Sequence, residues 1–491
     1  MILILAWVPI LGALAVLFSP ASALERIRKI ALVSAAVPFA LTLCFLARFN
    51  PAAPGFQFLV RIPWLPDLGI AYQAGFDGIN LTLCLLHALV SFAGAFVAVS
   101  VKERTKEYLF YYLLLTGALY GVFTCLDLFF IYLFYEMTLI PLYPMIGIWG
   151  SKNKEYGAMK LTIFITGGAV LALLGLLILY TQAGVKSFDL ITLREYLISS
   201  PLAFRDQKTI AGLLLVGFGV IASLWPLHSW SPIGYAVAPT SVSMLHAGVL
   251  KKMGPYLMLR TALALVPAGT LAWSGWLAVL GGIGIAYAGY AAAKQKDLKY
   301  MVGFSSVSHM GYVMLGLAAL TPASVSGAVL LMFSHGVMAA ATFALIGFLY
   351  EQAHTRGLSD FGGLARKLPF FSIAFIMASM ASLGLPGFSN FAAEVLIFVG
   401  SWKDYPLVVS VAVFGILITA FYLLRAIQNI CYGPFNARWE GLRDPKGWAE
   451  KLPFVLLLGA LLLFGFWPQG LLRLIEPAVR TLLEAKPGGI L

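Results

Sequence analysis

Charged side chains are scarce in this sequence. Only 11% of its 491 residues are Asp, Glu, Lys or Arg, whereas a soluble domain carries roughly 25%. Apolar residues make up 60% of the chain, which excludes both a soluble globular fold and an intrinsically disordered chain. Basic residues outnumber acidic ones by 33 to 21, but they are too dispersed to form a basic patch, so we expect no nucleic-acid partner.

Cysteine is also scarce, and the four that occur are scattered through apolar runs at Cys44, Cys84, Cys125 and Cys431. This pattern excludes a disulfide scaffold, and without a Cys-x-x-Cys pair we expect no iron–sulfur ligation. The chain also lacks a Gly-x-Gly-x-x-Gly turn after a strand, a phosphate-binding loop and a His-Glu-x-x-His helix. We therefore expect no cofactor and no metal in this chain, and any electrons would travel elsewhere.

Uncharged runs of about 20 residues recur along the sequence, and each can cross an apolar layer of roughly 30 Å as a helix. The sequence is therefore predicted to be an all-α polytopic membrane protein lying in a lipid bilayer. Hydropathy predicts fourteen spans, at 2–19, 30–47, 78–101, 108–126, 128–149, 157–182, 208–230, 239–265, 271–292, 300–320, 323–350, 370–400, 406–430 and 452–470.

The distribution of Lys and Arg among the loops predicts the orientation, because short cytoplasmic loops are enriched in both. Most of the basic residues in short loops fall on one side of the fourteen spans, for example in 26–29, 102–106, 152–154 and 294–299. Both termini then lie on the outer side, and the inner (plasma) membrane of a bacterium is the expected location. No positive charge precedes the first apolar run, which favours a span there over a signal peptide.

Two segments outside the spans have patterns of their own. Residues 51–76 contain two aromatic, apolar runs separated by Pro and Asp, which predicts a β-hairpin on the outer surface. After Pro468, apolar residues alternate with Arg and Glu at helical spacing, which predicts an amphipathic helix lying in the membrane interface.

The charged residues within the predicted spans include Glu136, Lys160, Lys251, Lys252 and Glu394. A charge inside a span costs roughly 2.5–3.5 kcal/mol on insertion scales, so each is a candidate for ion or proton handling. Lys160 is near a span end and could instead extend to the headgroups. Lys251 and Lys252 are about 100° apart on a helix, so at least one should point inward.

The histidines add groups that titrate near neutral pH. We predict that His309 and His335 relay protons, and that His228 and His246 are possible relay residues. The alternative for each is a structural hydrogen bond between helices.

Two spans contain sequences that should interrupt a helix, around Pro226 in the seventh span and Pro386 in the twelfth. Paired broken helices in corresponding halves are typical of inverted repeats whose ion site lies near the midplane of the membrane. The residues alone therefore indicate a cation or proton translocator.

Several segments resemble the antiporter-like subunits of respiratory complex I over about residues 100–430. They are Tyr135-Glu136-Met137, Trp225-Pro226-Leu227-His228-Ser229-Trp230, Ala238-Pro239-Thr240, His246-Ala247-Gly248-Val249-Leu250, Ser305-Ser306-Val307-Ser308-His309-Met310-Gly311 and His335-Gly336. Within that family, Tyr350-Glu351, His354-Thr355-Arg356 and Asn390-Phe391 resemble the M-type (chain 4) branch of NADH:quinone oxidoreductase. Subunits of Mrp antiporters and membrane hydrogenases are related.

The resemblance implies fourteen helices with two inverted five-helix repeats. The expected units are residues 1–107, a repeat at 108–265, a repeat at 266–431, and 432–491 with the last helix and the amphipathic tail. Glu136, Lys160, Lys252 and Glu394 match four of five family positions. The fifth, a Lys on helix seven, aligns with Ile221. The sequence also departs from the family after Pro232, where proton uptake from the cytoplasm is expected.

The function implied by the resemblance is proton translocation in the membrane arm, driven by quinone reduction in partner subunits. Those partners, neighbouring antiporter-like subunits among them, would hold NADH or another donor, FMN, iron–sulfur clusters and quinone. Lys251 could replace the missing helix-seven lysine. The alternatives are a cation/proton antiporter of the Mrp type, a membrane hydrogenase subunit, or a weakened structural copy.

Overall fold

The computed structural model describes residues 1–484, and most of them form helices packed side by side. The α-helices are α1 Ile2–Phe18, α2 Leu24–Arg48, α3 Gly78–Ala98, α4 Thr105–Thr124, α5 Leu128–Trp149, α6 Lys154–Gln182, α7 Leu190–Ser199, α8 Phe204–Ala222, α9 Trp230–Val237, α10 Thr240–Leu245, α11 Lys251–Leu257, α12 Pro267–Lys294, α13 Leu298–Ala319, α14 Pro322–Ala353, α15 Pro369–Ser382, α16 Ser389–Ser401, α17 Pro406–Cys431, α18 Trp448–Phe466 and α19 Gln469–Glu484. Two π-helical turns, His246–Leu250 and Met258–Leu263, flank α11.

Nine helices within residues 1–484 are long and apolar enough to cross a membrane. The chain is thus an integral, multi-pass membrane protein, as predicted. Each of the fourteen predicted spans coincides with a helix or with consecutive helical segments, while the number of complete crossings remains a prediction.

Local sequence explains where many helices begin. Asp77, Asp127 and Asp297 precede α3, α5 and α13, and each carboxylate accepts hydrogen bonds from backbone N–H groups of the first turn. Four helices, α12, α14, α15 and α17, start with proline, whose missing N–H group costs nothing at that position.

The predicted β-hairpin is confirmed. Strands β1 (Gln57–Leu65) and β2 (Ile70–Phe76) pair antiparallel, and Gly69, at φ +68°, makes the turn. Strand β2 is fully buried against the bundle and β1 is mostly exposed. We call this end of the bundle the hairpin face and the other end, which carries the 150–153 and 294–297 loops, the opposite face.

Asp127 joins the hairpin to α5. Its Oδ2 accepts a hydrogen bond from the Ala71 N–H (3.0 Å), and its Oδ1 accepts from Phe129 and Phe130 at the start of α5. Burial raises the pKa of this carboxyl to about 6, although the backbone hydrogen bonds oppose the shift.

The predicted amphipathic helix after Pro468 is α19, whose apolar side chains are buried against the hairpin face. The last part of the predicted tail, 485–491, lies outside the described residues.

Candidate functional site

Both helix breaks predicted from proline-containing sequences are confirmed. The seventh span divides into α8 and α9 with a non-helical stretch at 223–229, where Ser223 has φ +60°. The twelfth span divides into α15 and α16, and Gly384 (φ +69°) and Gly387 (φ +99°) lie between them. Because the helical hydrogen bonds stop at each break, backbone groups become available to side chains within the bundle.

The adjacent lysines of the eighth span are both fully buried. The Lys251 ammonium donates to Ser231 Oγ on α9 (3.3 Å) and to Ser306 Oγ on α13 (3.3 Å), and it lies 5.4 Å from the centre of the Tyr235 ring. The Lys252 ammonium donates to the Ala247 carbonyl of its own helix. Lys251 therefore bridges the broken seventh span and α13, whereas Lys252 contacts its own π-helical turn.

The position of Lys251 follows from how closely α11 approaches α8. A Cβ on Gly254 would lie 2.6 Å from the Phe218 carbonyl oxygen and 2.8 Å from the Ala222 nitrogen, so only glycine fits there. The backbone of α11 thus touches the segment of α8 that contains buried Ile221. This contact brings a lysine of the eighth span to the break of the seventh.

His309 and His335 lie together beyond Lys251, with ring centres 4.9 Å apart. In His309, Nδ1 is 2.8 Å from the Ser305 carbonyl oxygen and Nε2 is 3.0 Å from the Ser382 carbonyl oxygen. Since a carbonyl oxygen only accepts, both bonds form together only when the ring carries two protons. Neither nitrogen of His335 has a partner among the described residues.

Glu394 is buried on α16, beside the break of the twelfth span. Its carboxylate lies directly against Gly384, where an added methyl group would overlap Oε2. Ser382, which contacts His309, is the last residue of α15 at the same break. Lys251, Ser306, His309, Ser382 and Glu394 therefore form one line of polar groups between the two broken spans.

Backbone contacts fix the helices that carry these residues. A Cβ on Gly336 would lie 2.5 Å from the Gly248 carbonyl oxygen, so α14 and the π-helical turn 246–250 meet backbone to backbone. Gly336 follows His335 directly, and the same turn ends at Leu250, directly before Lys251.

Glu136 and Lys160 lie apart from this line. Glu136 is partly buried on a side of α5 that also exposes Leu133 and Ile140, and it forms no ion pair within 4 Å among residues 1–484. The Lys160 ammonium lies near the rings of Tyr156 (5.7 Å) and Phe164 (6.0 Å) on its own helix. The structure thus leaves Glu136 on an outward-facing side of the bundle.

The two possible relay histidines flank the seventh break. His228 lies in the break itself, with its ring 5.2 Å from Tyr287. His246 is buried between Trp230 (5.4 Å) and Tyr235 (4.9 Å), and neither of its nitrogens has a partner in the described chain.

A polar cavity of about 390 Å³ opens on the opposite face and reaches the junction of the seventh and eighth spans. Its charged lining residues are Lys102, Glu103, Lys154, Lys299 and Glu351. Beside them the Tyr108 hydroxyl and Ser241 Oγ are 2.6 Å apart, and the Lys299 ammonium donates to the Ala238 carbonyl (2.7 Å).

Sequence reasoning identified the charged groups but not the hydroxyls between them. Ser231 and Ser306 bind Lys251, and the Tyr422 hydroxyl donates to Ser305 Oγ (2.7 Å). The Ser-Ser-Val-Ser-His motif contains Ser305 and Ser306 close to His309, which was a usable signal. Nothing in the sequence around Tyr422 distinguishes it from other apolar span residues.

In residues 1–484, no three His, Cys, Asp or Glu side chains cluster so that they could bind a metal ion.

Comparison with known proteins identifies the relatives of this architecture. A model of the NADH:quinone oxidoreductase/Mrp antiporter transmembrane family matches residues 125–419. NADH-quinone oxidoreductase subunit M of Rickettsia conorii is 34% identical over 458 residues, which is 92% of each chain.

Solved structures agree with the sequence relatives. A chain of respiratory complex I from Thermus thermophilus superposes with a TM-score of 0.91 at 27% identity, covering 99% of this chain and all of the other. A chain of the Mrp complex from Dietzia superposes with a TM-score of 0.86 at 20% identity, covering 98% and 97%, and shows the shared fold.

Proposed function

Since the chain belongs to the NADH:quinone oxidoreductase/Mrp antiporter transmembrane family, we propose that it is a proton-translocating subunit of a complex I-type NADH:quinone oxidoreductase. Its neighbours are then other membrane-arm subunits, including antiporter-like ones. The electron donor, FMN, iron–sulfur clusters and quinone belong to partner subunits, and quinone reduction there drives this chain. It is thus one subunit of a redox-driven translocase.

The observation that carries this proposal is the line of buried polar groups from Lys251 to Glu394. Burying several ionisable groups in a membrane protein is costly, and proton transfer explains why they are kept. Lys251 contacts Ser306, and His309 contacts the Ser305 and Ser382 carbonyl oxygens. Ordered water would bridge the short gaps that remain along this line.

In this mechanism the proton first reaches the cavity on the opposite face. Glu351 and the Tyr108–Ser241 pair lie at the junction where the eighth span begins. His246, five residues beyond Ser241, carries the proton towards Lys251, and His228 in the break takes part in the same step. Lys251 holds the proton until the His309–His335 pair accepts it.

His309 and His335 then pass the proton sideways, and Glu394 receives it for release at the hairpin face. His309 is suited to hold an additional proton because two carbonyl oxygens face its ring. Glu136 and Lys160 supply charges that change the proton affinity of the buried amines. Glu136 faces outward, so its ion-pair partner comes from a neighbouring subunit or from a rearranged state of this chain.

Lys251 takes the central role that the family gives to a helix-seven lysine. Ile221 is buried and carries no charge, while the close contact at Gly254 brings Lys251 to the break of the seventh span. Its two serine partners lie on different helices, so movement of either helix changes the stability of the charged amine.

The arrangement in the membrane completes the proposal. Both termini and the hairpin face lie on the outer side of a bacterial inner membrane, and the opposite face lies in the cytoplasm. Residues 1–107 and 432–491 flank two inverted repeats, 108–265 and 266–431.

The test is proton translocation by the purified parent complex in liposomes. Lys251→Met and Lys252→Met remove one amine each while nearly conserving volume, and Lys294→Met removes an exposed lysine at the end of α12 as the matched control. We expect Lys251→Met to lower the number of protons moved per electron, whereas Lys294→Met leaves it unchanged.

Two results would overturn parts of the proposal. If Lys252→Met alone lowers the ratio, the central amine is Lys252. If neither variant changes it in a fully assembled complex, and Glu136→Gln also has no effect, the chain is a structural spacer.

A further inference from the structure

A second cavity, of about 170 Å³, lies on the hairpin face. The loop before β1, the start of α3, α7, the end of the eighth span and α19 surround it. Its charged lining residues are Arg194, Arg260 and Asp77. Two guanidinium groups therefore share the cavity with one carboxylate, and the lining carries an excess positive charge.

Arg260 is held rigidly in the wall of this cavity and is only 3% exposed. Its Nη2 donates to Asp77 Oδ1 (2.5 Å), and its guanidinium carbon lies 5.3 Å from the centres of the Phe56 and Tyr256 rings. Its Nε is buried and has no partner among the described residues. A guanidinium has five N–H donors, so Asp77 leaves part of this capacity unused.

Arg194 reaches the same cavity from α7. Its Nη2 donates to the Thr481 carbonyl of α19 (2.5 Å), while its buried Nε also lacks a partner in residues 1–484. Burial and the nearby charge of Arg260 lower the pKa of Arg194. The two cations thus repel each other, and an anion between them would relieve the repulsion.

We propose that this cavity binds the phosphate group of an anionic phospholipid from the leaflet at the hairpin face. The planar donor forks of the two arginines suit a phosphate. Apart from Thr481, the rest of the lining is apolar and includes Phe49, Pro51, Leu474 and Leu482. The cavity also borders α19, which is predicted to lie at the membrane surface. These apolar surroundings favour a phospholipid over free inorganic phosphate, although both ligands present a negatively charged phosphate to the arginines.

The bound phosphate would stabilise the packing of α19 against the bundle. Arg194 already holds the Thr481 carbonyl, and a phosphate between the arginines would neutralise the repulsion that opposes this contact.

The test uses the full complex, delipidated in detergent, and measures amide hydrogen exchange in residues 469–484. Phosphatidylglycerol, phosphatidylcholine or inorganic phosphate is then added. We expect phosphatidylglycerol to slow exchange about tenfold at about ten times its Kd, and the other two to have little effect.

Variants separate the site from general membrane effects. Arg194→Gln should lose the response to phosphatidylglycerol, and Arg194→Lys should retain part of it. Arg473→Gln removes an exposed cation on α19 and should respond like the unchanged chain. Equal protection by phosphatidylcholine, a full response of Arg194→Gln, or equal protection by inorganic phosphate would each overturn the lipid site, the last by identifying free phosphate as the ligand.

Discussion

Lys251 and Lys252 are neighbours in sequence, but their ammonium groups have different surroundings. Lys251 donates to serines on two other helices, and Lys252 donates to a carbonyl of its own helix. The sequence predicted that both lie within a span and that at least one points inward. It could not predict which amine reaches the seventh break, because that depends on the approach of α11 to α8 at Gly254.

The proposed mechanism gives proton uptake at the opposite face to Glu351, which lines the cavity there together with Lys299 and Lys102. A carboxylate at a cavity mouth raises the local proton concentration, and such electrostatic effects change rates tenfold or more. We expect Glu351→Gln to slow proton pumping about tenfold at alkaline pH on that side, where proton supply is limiting, and much less at acidic pH. The measurement is the pumping rate in liposomes as a function of the pH on the side that the opposite face contacts.

Glu440→Gln is the matched control for Glu351, because Glu440 is an exposed carboxylate in the loop at 432–447 on the same face. A pumping rate for Glu351→Gln that equals the control at every pH would remove this cavity from the uptake route.

At the scale of elements, the sequence predicted the breaks but not the π-helical turns. Prolines and glycines around Pro226 and Pro386 mark the breaks, and the structure confirms both. Gly248 lies in the turn 246–250, and Gly254-Pro255 precede the turn 258–263. These residues did not predict π-helical turns, which form where the eighth span packs against α8 and α14. Turns of this kind often occur at functional sites, and these two flank both lysines.

The contact between α11 and α8 gives a direct test at this scale. In Gly254→Ala the new methyl group would meet backbone atoms of Phe218 and Ala222 at 2.6 and 2.8 Å. Backbone atoms cannot rotate away, so we expect a cost of about 1–3 kcal/mol and a displaced Lys251. The temperature at which the complex loses activity and the number of protons moved per electron should both fall below those of the unchanged protein.

Gly275→Ala in α12 provides the control, because no atom lies within 4 Å of a Cβ there. Alanine favours a helix over glycine by about 1 kcal/mol, so stability should be unchanged or slightly higher. If Gly254→Ala behaves like Gly275→Ala, close packing does not determine the position of Lys251.

At the scale of the whole molecule, periodicity and hydropathy predicted the class, the hairpin and the approximate limits of the helices, because each depends on local composition. The line of polar groups from Lys251 to Glu394 could not be predicted from local composition. Lys251 contacts Ser306, and His309 contacts Ser382, although the members of each pair are far apart in sequence. They meet only because the eighth span, α13 and α15 pack together.

The choice between a redox-driven pump and an Mrp-type antiporter also belongs to this scale, since both share the fold. We expect proton movement by the purified complex to require an electron donor and quinone, and to be the same when potassium replaces sodium. Sodium-driven proton movement without any donor would contradict the redox-driven function and favour the antiporter.

The contact between Gly248 and Gly336 has a mechanical consequence. Where two side chains meet, a change of rotamer can accommodate a small displacement. Two backbones in direct contact cannot adjust in this way. A shift of the turn that ends directly before Lys251 must therefore push the helix segment that carries His335 by a similar distance. If Lys251 carries the proton as proposed, a shift of its ammonium on protonation should therefore also move the His335 ring.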